Sequence, residues 1–568
     1  VTASLSRPSS RQVVRLVDRL CRRPWHAAGL LGLFTCIVFL PSVACDFVNW
    51  DDNAYVFANP LVLRGLSIGG MRDAFARPLF GFWTPLTTLS YQLDVTAFGP
   101  GPAGFHLTNV LLHSLASAVL YVTLATMTGR PRRSALAACL FAIHPLRVES
   151  VAWVAERKDV LSVFFLSLTL LAYAWYGRHP GLGSYAAVFG GMLAGLLSKA
   201  TLVTLPALLL VLDVWPLGRL RQTGPSTGPD ACARPDGTAP GTAWWWLLAE
   251  KVPLLMLSAV FAVITLRTHA DAIVPTDAAM SLLDRAAMSL HSLAWYGIKT
   301  LAPTHLHPAH DSDTVPRSGP MILGGVVMLA AMLVLSIRSA RTQPAIAMGV
   351  VWFLIALVPA PGIIAQVGAS PYADRFTYVP HIGLMVAIVW GCADVARQWR
   401  FPAWIPVATS AAVIATCVAA DRSQIGIWKD SLTLWSRVVS LAPDSALAHN
   451  NRGMALYARG ELSEAMREFE HSLSIRQSER AHCALGMALA DTGRLDEALE
   501  HYTAGLALRP DSTECLNNSG VALARLGRLD EAAARFEQCL TISPDDHGAR
   551  ENLQMARALI AAGNRSPD

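Results

Sequence analysis

The sequence is short of charge. Only 15% of its 568 residues are Asp, Glu, Lys or Arg, while 53% are hydrophobic; soluble proteins carry about a quarter charged residues. The shortage is uneven. Residues 1–430 are mostly long apolar runs, whereas residues 444–565 have the charge density of a soluble domain. A clustered basic face is also missing, and the net charge is only +5, which excludes nucleic acid as a partner. The ten cysteines show no CxxC and no regular spacing. Cys36, Cys139, Cys392 and Cys417 sit inside apolar runs, where a thiol acts as a small hydrophobe. Neither a metal site nor a disulfide framework is expected. No small-x-small cleavage site stands out after the basic residues Arg7, Arg11, Arg15, Arg19, Arg22 and Arg23. The apolar stretch from Ala27 to Cys45 therefore reads as a signal anchor.

What is present is a series of apolar runs. A membrane span needs about 20 apolar residues. Eleven are expected, near 27–45, 106–127, 134–145, 160–176, 184–198, 200–216, 245–266, 321–337, 345–360, 377–394 and 403–420. A twelfth run, 286–303, contains His291 and Lys299 and reads as an interfacial or re-entrant helix. With a cytoplasmic N-terminus, the inward loops are all basic: Arg130, Arg132 and Arg133; Arg178; Arg219 and Arg221; Arg338 and Arg341; Arg397 and Arg400. Eleven spans satisfy the positive-inside rule, and twelve would reverse the later loops. The protein is thus expected to be integral to the inner, cytoplasmic membrane, with its C-terminal domain extracytoplasmic, in a periplasm where there is one.

That domain is repetitive. GELSEA (460–465), GRLDEA (493–498) and GRLDEA (527–532) recur at 33 and 34 residues, with Gly453, Gly486 and Gly520 upstream and Phe469, Tyr502 and Phe536 downstream. This is the period of the tetratricopeptide repeat, a helix–turn–helix unit. The expected organisation is a cytoplasmic tail (1–26), a membrane domain (27–425, with an outer loop at 46–104 and a cytoplasmic loop at 217–244), a linker helix (426–445), three repeats (446–545), and a capping helix and tail (546–568).

Ionisable residues near the bilayer are functional candidates, and on this topology they gather on the outer face. Asp51 and Asp52 follow the first span. Adjacent carboxylates suit a divalent metal such as Mg or Mn, or a general base with an orienting partner; a solvated juxtamembrane turn is the competing reading, and for a bare Asp-Asp pair the commoner one. His144-Pro145-Leu146-Arg147-Val148-Glu149 leads to Glu156-Arg157-Lys158-Asp159 in a short outer loop that breaks the positive-inside bias. An anionic ligand explains that, and so does internal pairing of Glu149, Glu156 and Asp159 with Arg147, Arg157 and Lys158. Asp374, Arg375 and Tyr378 precede the tenth span, and Lys199 lies between the fifth and sixth. His106, Asn109 and His113 share one face of the second span, a stripe that suits a site or helix–helix hydrogen bonds.

The strings WDDNAYVFANP, FHLTNVLLH, HPLRVESVAWVAERKDVLS and ADRFTYVPHIGL, followed by the repeats, resemble the transmembrane and tetratricopeptide repeat-containing family. That family is similar to the GT-C glycosyltransferases, which take a sugar from a polyprenyl-phosphate donor; its animal members are linked to protein O-mannosylation. The resemblance implies an all-α fold, a polytopic GT-C-like bundle with a C-terminal tetratricopeptide α-solenoid. It also implies a lipid-embedded sugar donor and a protein or peptide acceptor met by the repeats. Asp51 or Asp52 would take the acceptor proton, and Arg375, Arg147, Arg157 and Lys199 would meet the donor phosphate. His106, Asn109, His144, Glu149, Asp159, Asp374 and Tyr378 would support them. A non-catalytic scaffold or a transporter are the competing readings.

Overall fold

The structure is a computed structural model that describes residues 24–79, 81–220, 243–268, 281–310, 319–360 and 372–563. Arg7 to Arg23 of the basic N-terminal segment, most of the 217–244 loop including Arg221, and the extreme C-terminal tail lie outside the described residues. The chain forms two compact units, Val1–Lys429 and Asp430–Asp568. Among the described residues there is no strand, only one isolated bridge between Leu79 and Phe82.

The first unit consists of α1 (Pro24–Phe39), α2 (Ile68–Ala76), α3 (Pro85–Phe98), α4 (Pro102–Thr128), α5 (Pro131–Ala142), α6 (Val148–Ala152), α7 (Arg157–Tyr176), α8 (Leu182–Ser198), α9 (Leu205–Val214), α10 (Trp244–Ala249), α11 (Val252–Thr268), α12 (Leu282–Leu301), α13 (Gly319–Ser339), α14 (Pro344–Leu357), α15 (Pro380–Gln398) and α16 (Trp404–Ile427). Proline supplies many of the starts: Pro85, Pro102, Pro131, Pro344 and Pro380 open their helices, where the missing N–H costs nothing. Gly129, left-handed at φ 63°, ends α4 two residues before Pro131 opens α5, so the chain reverses sharply.

Six stretches are long and apolar enough to cross a membrane: Pro24–Ala44, Pro102–Thr128, Val154–Tyr176, Trp244–Thr268, Gly319–Ser339 and Trp404–Ile427. The chain is a multi-pass membrane protein. The other five expected spans all fall on helices, but not on single long ones. The 134–145 span is a pair, Pro131–Ala142 and Pro145–Ala152, bent by 56°. Those at 184–198, 200–216 and 345–360 are helices of 10–17 residues. At 1.5 Å per residue these fall short of a core about 30 Å thick. The 377–394 span is α15, which carries Asp394 and Arg397. Hydropathy sees the apolar run but not where proline breaks it. The two glycines Gly349 and Gly383 let α14 and α15 touch: a Cβ on Gly349 would lie 2.5 Å from the Gly383 carbonyl oxygen.

A compact ionic cluster ties α7, α9 and the α10–α11 turn together. Lys251 reaches Asp213 at 2.8 Å and Glu250 at 2.5 Å, and Arg219 reaches Asp213 at 2.9 Å and Glu250 at 2.7 Å. The Tyr173 hydroxyl donates to Asp213 at 2.6 Å. Asp213, Lys251 and Tyr173 are almost fully buried, yet the four charges cancel.

The second unit stacks α17 (Ser431–Leu441), α18 (Ala446–Ala458), α19 (Leu462–Ile475), α20 (Glu479–Asp491), α21 (Leu495–Leu508), α22 (Thr513–Arg525), α23 (Leu529–Ile542) and α24 (His547–Gly563). Within the expected linker helix 426–445, the segment α17 instead buries Leu434, Trp435 and Val438 and packs on α18, which makes it part of the stack. The repeats are punctuated alike. Ser445, Ser478 and Ser512 cap α18, α20 and α22 by accepting from the third backbone N–H. Gly460, Gly493 and Gly527 take φ of 78°, 85° and 77° in the turns, a conformation that penalises any side chain. Gly453, Gly486 and Gly520 face the rings of Phe469, Tyr502 and Phe536, and an added Cβ would come within 2.5, 2.7 and 2.5 Å of them. One expectation is overturned here. Cys483 and Cys515 form a disulfide, with Cα atoms 5.4 Å apart; tertiary stacking brings together two cysteines whose spacing matches no framework.

Two outcomes test this packing. Lys251→Met leaves two carboxylates, the buried Asp213 and the half-buried Glu250, sharing Arg219 as the one cation of the cluster and should lower stability by about 3–5 kcal/mol, whereas Lys251→Met combined with Asp213→Leu should recover most of the loss; thermal unfolding of the detergent-solubilised full chain measures both. Gly486→Val should cost about 1–3 kcal/mol by overpacking against Tyr502, read in the same assay.

Candidate active site

The two aspartates after the first span have different fates. Asp51 adopts φ 64° and is exposed. That left-handed step turns the next residue inward. Asp52 is 1% exposed, and its two oxygens accept from the Val48 N–H at 2.9 Å and the Ala155 N–H at 2.8 Å. Burial pushes its pKa up to about 8, although those two N–H groups pull the other way. Asp52 is therefore a brace between the outer loop and the 154–156 turn, not a group open to a substrate proton. Trp153 reinforces the brace by donating its indole N–H to the Trp50 carbonyl at 2.8 Å. The pair does not fit a two-carboxylate metal clamp, because Asp52 has both oxygens occupied. Among the described residues the only three-residue set of close metal-ligating atoms is Glu479, Cys483 and Cys515, in the second unit.

The turn that Asp52 grips is built by the bend between α5 and α6. His144 starts it: Nδ1 accepts from the Leu146 N–H at 3.3 Å, and Nε2 lies 3.0 Å from the Thr300 carbonyl. Pro145 then opens a 3-10 turn, α6 follows, and a second 3-10 turn leads into α7. This path brings acids and bases into one network. Lys199 lies 3.1 Å from Glu156 and 2.7 Å from Asp159. Lys158 lies 3.3 Å from Glu156 and stacks over Tyr55 and Phe82 at 4.6 and 5.4 Å. Arg375 pairs closely with Glu149 through its guanidinium, reaches Glu156 at 3.4 Å, and donates its backbone N–H to Glu149 at 3.3 Å. Burial works against the Arg375 charge, but Glu149 and Glu156 hold it above the ordinary arginine range. The Arg375 and Lys199 side chains keep 14% and 15% of their surface exposed. They are the cations of the network most open to a ligand.

Two expected phosphate ligands are corrected. Arg157 is fully buried. It lies 2.7 Å from Asp94, donates to the Phe105 carbonyl at 2.6 Å and bonds the Asn109 side chain. Arg147 is also fully buried: it bonds Thr377, lies 3.2 Å from His381 and stacks over Tyr378 at 4.9 Å. Asp94 compensates the desolvation of Arg157, whereas the Arg147 Nε and Nη1 have no hydrogen-bond partner among the described residues; neither guanidinium reaches a ligand from outside. Asn109 completes the Arg157 shell by donating to the Val151 carbonyl at 3.2 Å. Tyr378 belongs to the Arg147 group through that stacking, and its hydroxyl lies 2.5 Å from His113 Nδ1. Asp374 is buried in its 3-10 turn, and burial with Glu149 nearby pushes its carboxyl well above the usual range. His106 is buried on α4. The structure thus gathers Glu149, Asp159, Lys199 and Arg375 with Glu156 and Lys158, and sets Arg147, Arg157, His106, Asn109, His144, Asp374 and Tyr378 into the supporting interior. Asp94 is the residue that reading the sequence missed; its signal is a lone acid within the α3 segment PLTTLSYQLDVTAF.

A tetratricopeptide repeat family model matches residues 424–476 and 483–547. Protein O-mannosyl-transferase TMTC4 of Homo sapiens is 24% identical over 505 residues, covering 78% of this chain and 66% of the relative. Protein O-mannosyl-transferase Tmtc1 of Drosophila melanogaster is 32% identical over 217 residues, covering 35% of this chain and 25% of the relative. Human TMTC1 is 23% identical over 507 residues, covering 80% of this chain and 55% of the relative. The match thus spans from a quarter to just under two thirds of these relatives' length. Among solved structures, the Arabidopsis OM64 TPR domain matches at 18% identity and a TM-score of 0.20, over 20% of this chain and 94% of that one. At the level of family, the chain is a TMTC-like tetratricopeptide-repeat membrane protein.

Proposed function

We propose that the chain is a membrane glycosyltransferase that moves a mannose-like sugar from a polyprenyl-phosphate donor to a protein Ser or Thr hydroxyl on the extracytoplasmic face. The observation that carries this reading is the network of Arg375 and Lys199 with Glu149, Glu156 and Asp159, tied through Ala155 and Asp52 to the loop that exposes Asp51. The printed names of the relatives support the choice of sugar and acceptor. The basic inward loops support the orientation.

In this mechanism Asp51 takes the proton as the acceptor oxygen attacks the anomeric carbon. The bond from that carbon to the lipid phosphate breaks through an oxocarbenium-like transition state, and the phosphate leaves with the electron pair. Arg375 and Lys199 stabilise the leaving phosphate. Both already hold carboxylates, so they are oriented before the donor arrives. The charge of the network is balanced without ligand, so the donor must be drawn by geometry and by its lipid rather than by a net positive field. The repeats handle the acceptor.

Labelled polyprenyl-phosphate mannose, given to reconstituted vesicles with acceptor peptide, tests the reading. Transfer to peptide supports it, movement of label across the bilayer without transfer points to a transporter, and neither outcome leaves the scaffold reading. Asp51→Asn should lower transfer by about 10²–10⁴-fold with unchanged thermal stability. Undiminished transfer by that variant removes Asp51 as the base. Arg375→Gln should lower the rate by about 10²–10³-fold, and an equal loss with a donor-independent assay of stability would reassign it to folding.

A further inference from the structure

The repeat unit holds a cross-link that its periodicity hides. Cys483 lies on α20 and Cys515 on α22, the first helices of two successive repeats, and their separation is 32 residues against repeat spacings of 33 and 34. They are therefore not equivalent positions. The repeat counterparts of Cys483 are Asn450, Asn517 and Glu551, and those of Cys515 are Ala448, Ala481 and Ala549. The offset sets the two residues opposite one another, with Cα atoms 5.4 Å apart, inside the range a disulfide spans without moving backbone. Both are almost fully buried, at 1% and 0% exposure.

A second feature of the same repeat points the same way. Ser472, Gly505 and Cys539 occupy one repeat position on α19, α21 and α23. Ser472 donates to the Ala446 carbonyl at 2.7 Å, and Cys539 to the Thr513 carbonyl at 3.6 Å; each ties the second helix of its repeat to the start of the first. In the middle repeat the residue is glycine, and this tie is absent. A Cβ there would lie 2.9 Å from the Cys515 sulfur and 3.4 Å from the Cys483 sulfur. The side chain is missing where the two sulfurs need the space.

We infer that Cys483 and Cys515 are joined in the working protein, and that the repeat unit therefore resides in an oxidising, extracytoplasmic compartment. Disulfides persist there and are reduced in the cytosol. The bond forms by exchange. The thiolate of one cysteine attacks the disulfide of an exported dithiol oxidant, releasing one oxidant thiol. The second cysteine then attacks that mixed disulfide and releases the other. Two thiols are oxidised and one disulfide is reduced to a dithiol, which receives both protons. The inference bears on the side of the membrane named in the proposed function and not on transfer chemistry, so the two can fail separately.

The test is made on the full chain. Expressing cells are quenched in acid, dissolved in urea with N-ethylmaleimide and digested without reductant. The peptides carrying Cys483 and Cys515 should appear joined, and lighter by two hydrogens than their sum. N-ethylmaleimide on both residues in most molecules overturns the inference, as does zinc retained by the pair together with Glu479 in the purified protein. Trypsin added to sealed, right-side-out vesicles should degrade the repeats. Repeats that stay protected until detergent is added overturn the compartment. Cys483→Ala with Cys515→Ala should lower the unfolding midpoint of the repeats by roughly 10 °C under oxidising conditions and leave it unchanged relative to wild type under reducing ones; equal midpoints under both conditions overturn the cross-link.

Discussion

Three carboxylates and three cations share one poorly solvated corner of the membrane unit, and the arrangement around them follows from the need to pair every one. Glu149, Glu156 and Asp159 would each be costly to bury alone, as would Lys158, Lys199 and Arg375. Satisfying them requires the end of α8, the turn between α6 and α7 and the turn before α15 to meet at one point. The bend between α5 and α6 is the covalent means to that end. A straight helix through Pro145 would carry Glu149 away from Arg375. The Asp52 brace then fixes the outer loop to the same turn, so the exposed Asp51 is held by what its neighbour does.

The interior arginines are held differently, Arg157 by a carboxylate and Arg147 by a hydroxyl and an imidazole. Arg157 with Asp94 and Asn109, and Arg147 with Thr377 and His381, are fully enclosed. They lock α3, α4, α7 and the turn before α15 without facing a ligand. The four-charge cluster around Asp213 and Lys251 repeats the device elsewhere in the unit. Where polar residues of an apolar bundle are matched, as Arg157 is with Asp94 and Lys251 with Asp213, they specify which helices adjoin where apolar packing alone is permissive.

The repeats were legible in the sequence because their determinants are local and periodic. Gly486 and Tyr502 announce a close helix pair, and Gly493 announces the turn between them. In the membrane unit the charged segments His144 to Asp159 and Asp374 to Tyr378 were legible as candidates, since charge in an apolar chain is conspicuous. Their sorting was not. Whether an arginine is a ligand-facing group or an interior one depends on a partner such as Asp94 on another helix, and which of two adjacent aspartates turns inward depends on one backbone angle at Asp51. Span counting met a similar limit: hydropathy averages over Pro145 and Pro206, where helices restart. The cysteine pair was hidden for the opposite reason, since a 32-residue spacing in a 33- and 34-residue repeat looks like noise.

Arg219 and Glu250 hold each other through two parallel contacts, 2.7 and 2.9 Å long, on either side of the segment rich in glycine, proline and threonine. The clasp fixes the two ends of this connection side by side, whatever its length. Ring closure costs little more for a long loop than a short one, about 0.6 kcal/mol per doubling. Its length is thus nearly free to drift over evolutionary time, and it is the natural port for an inserted tag or reporter domain.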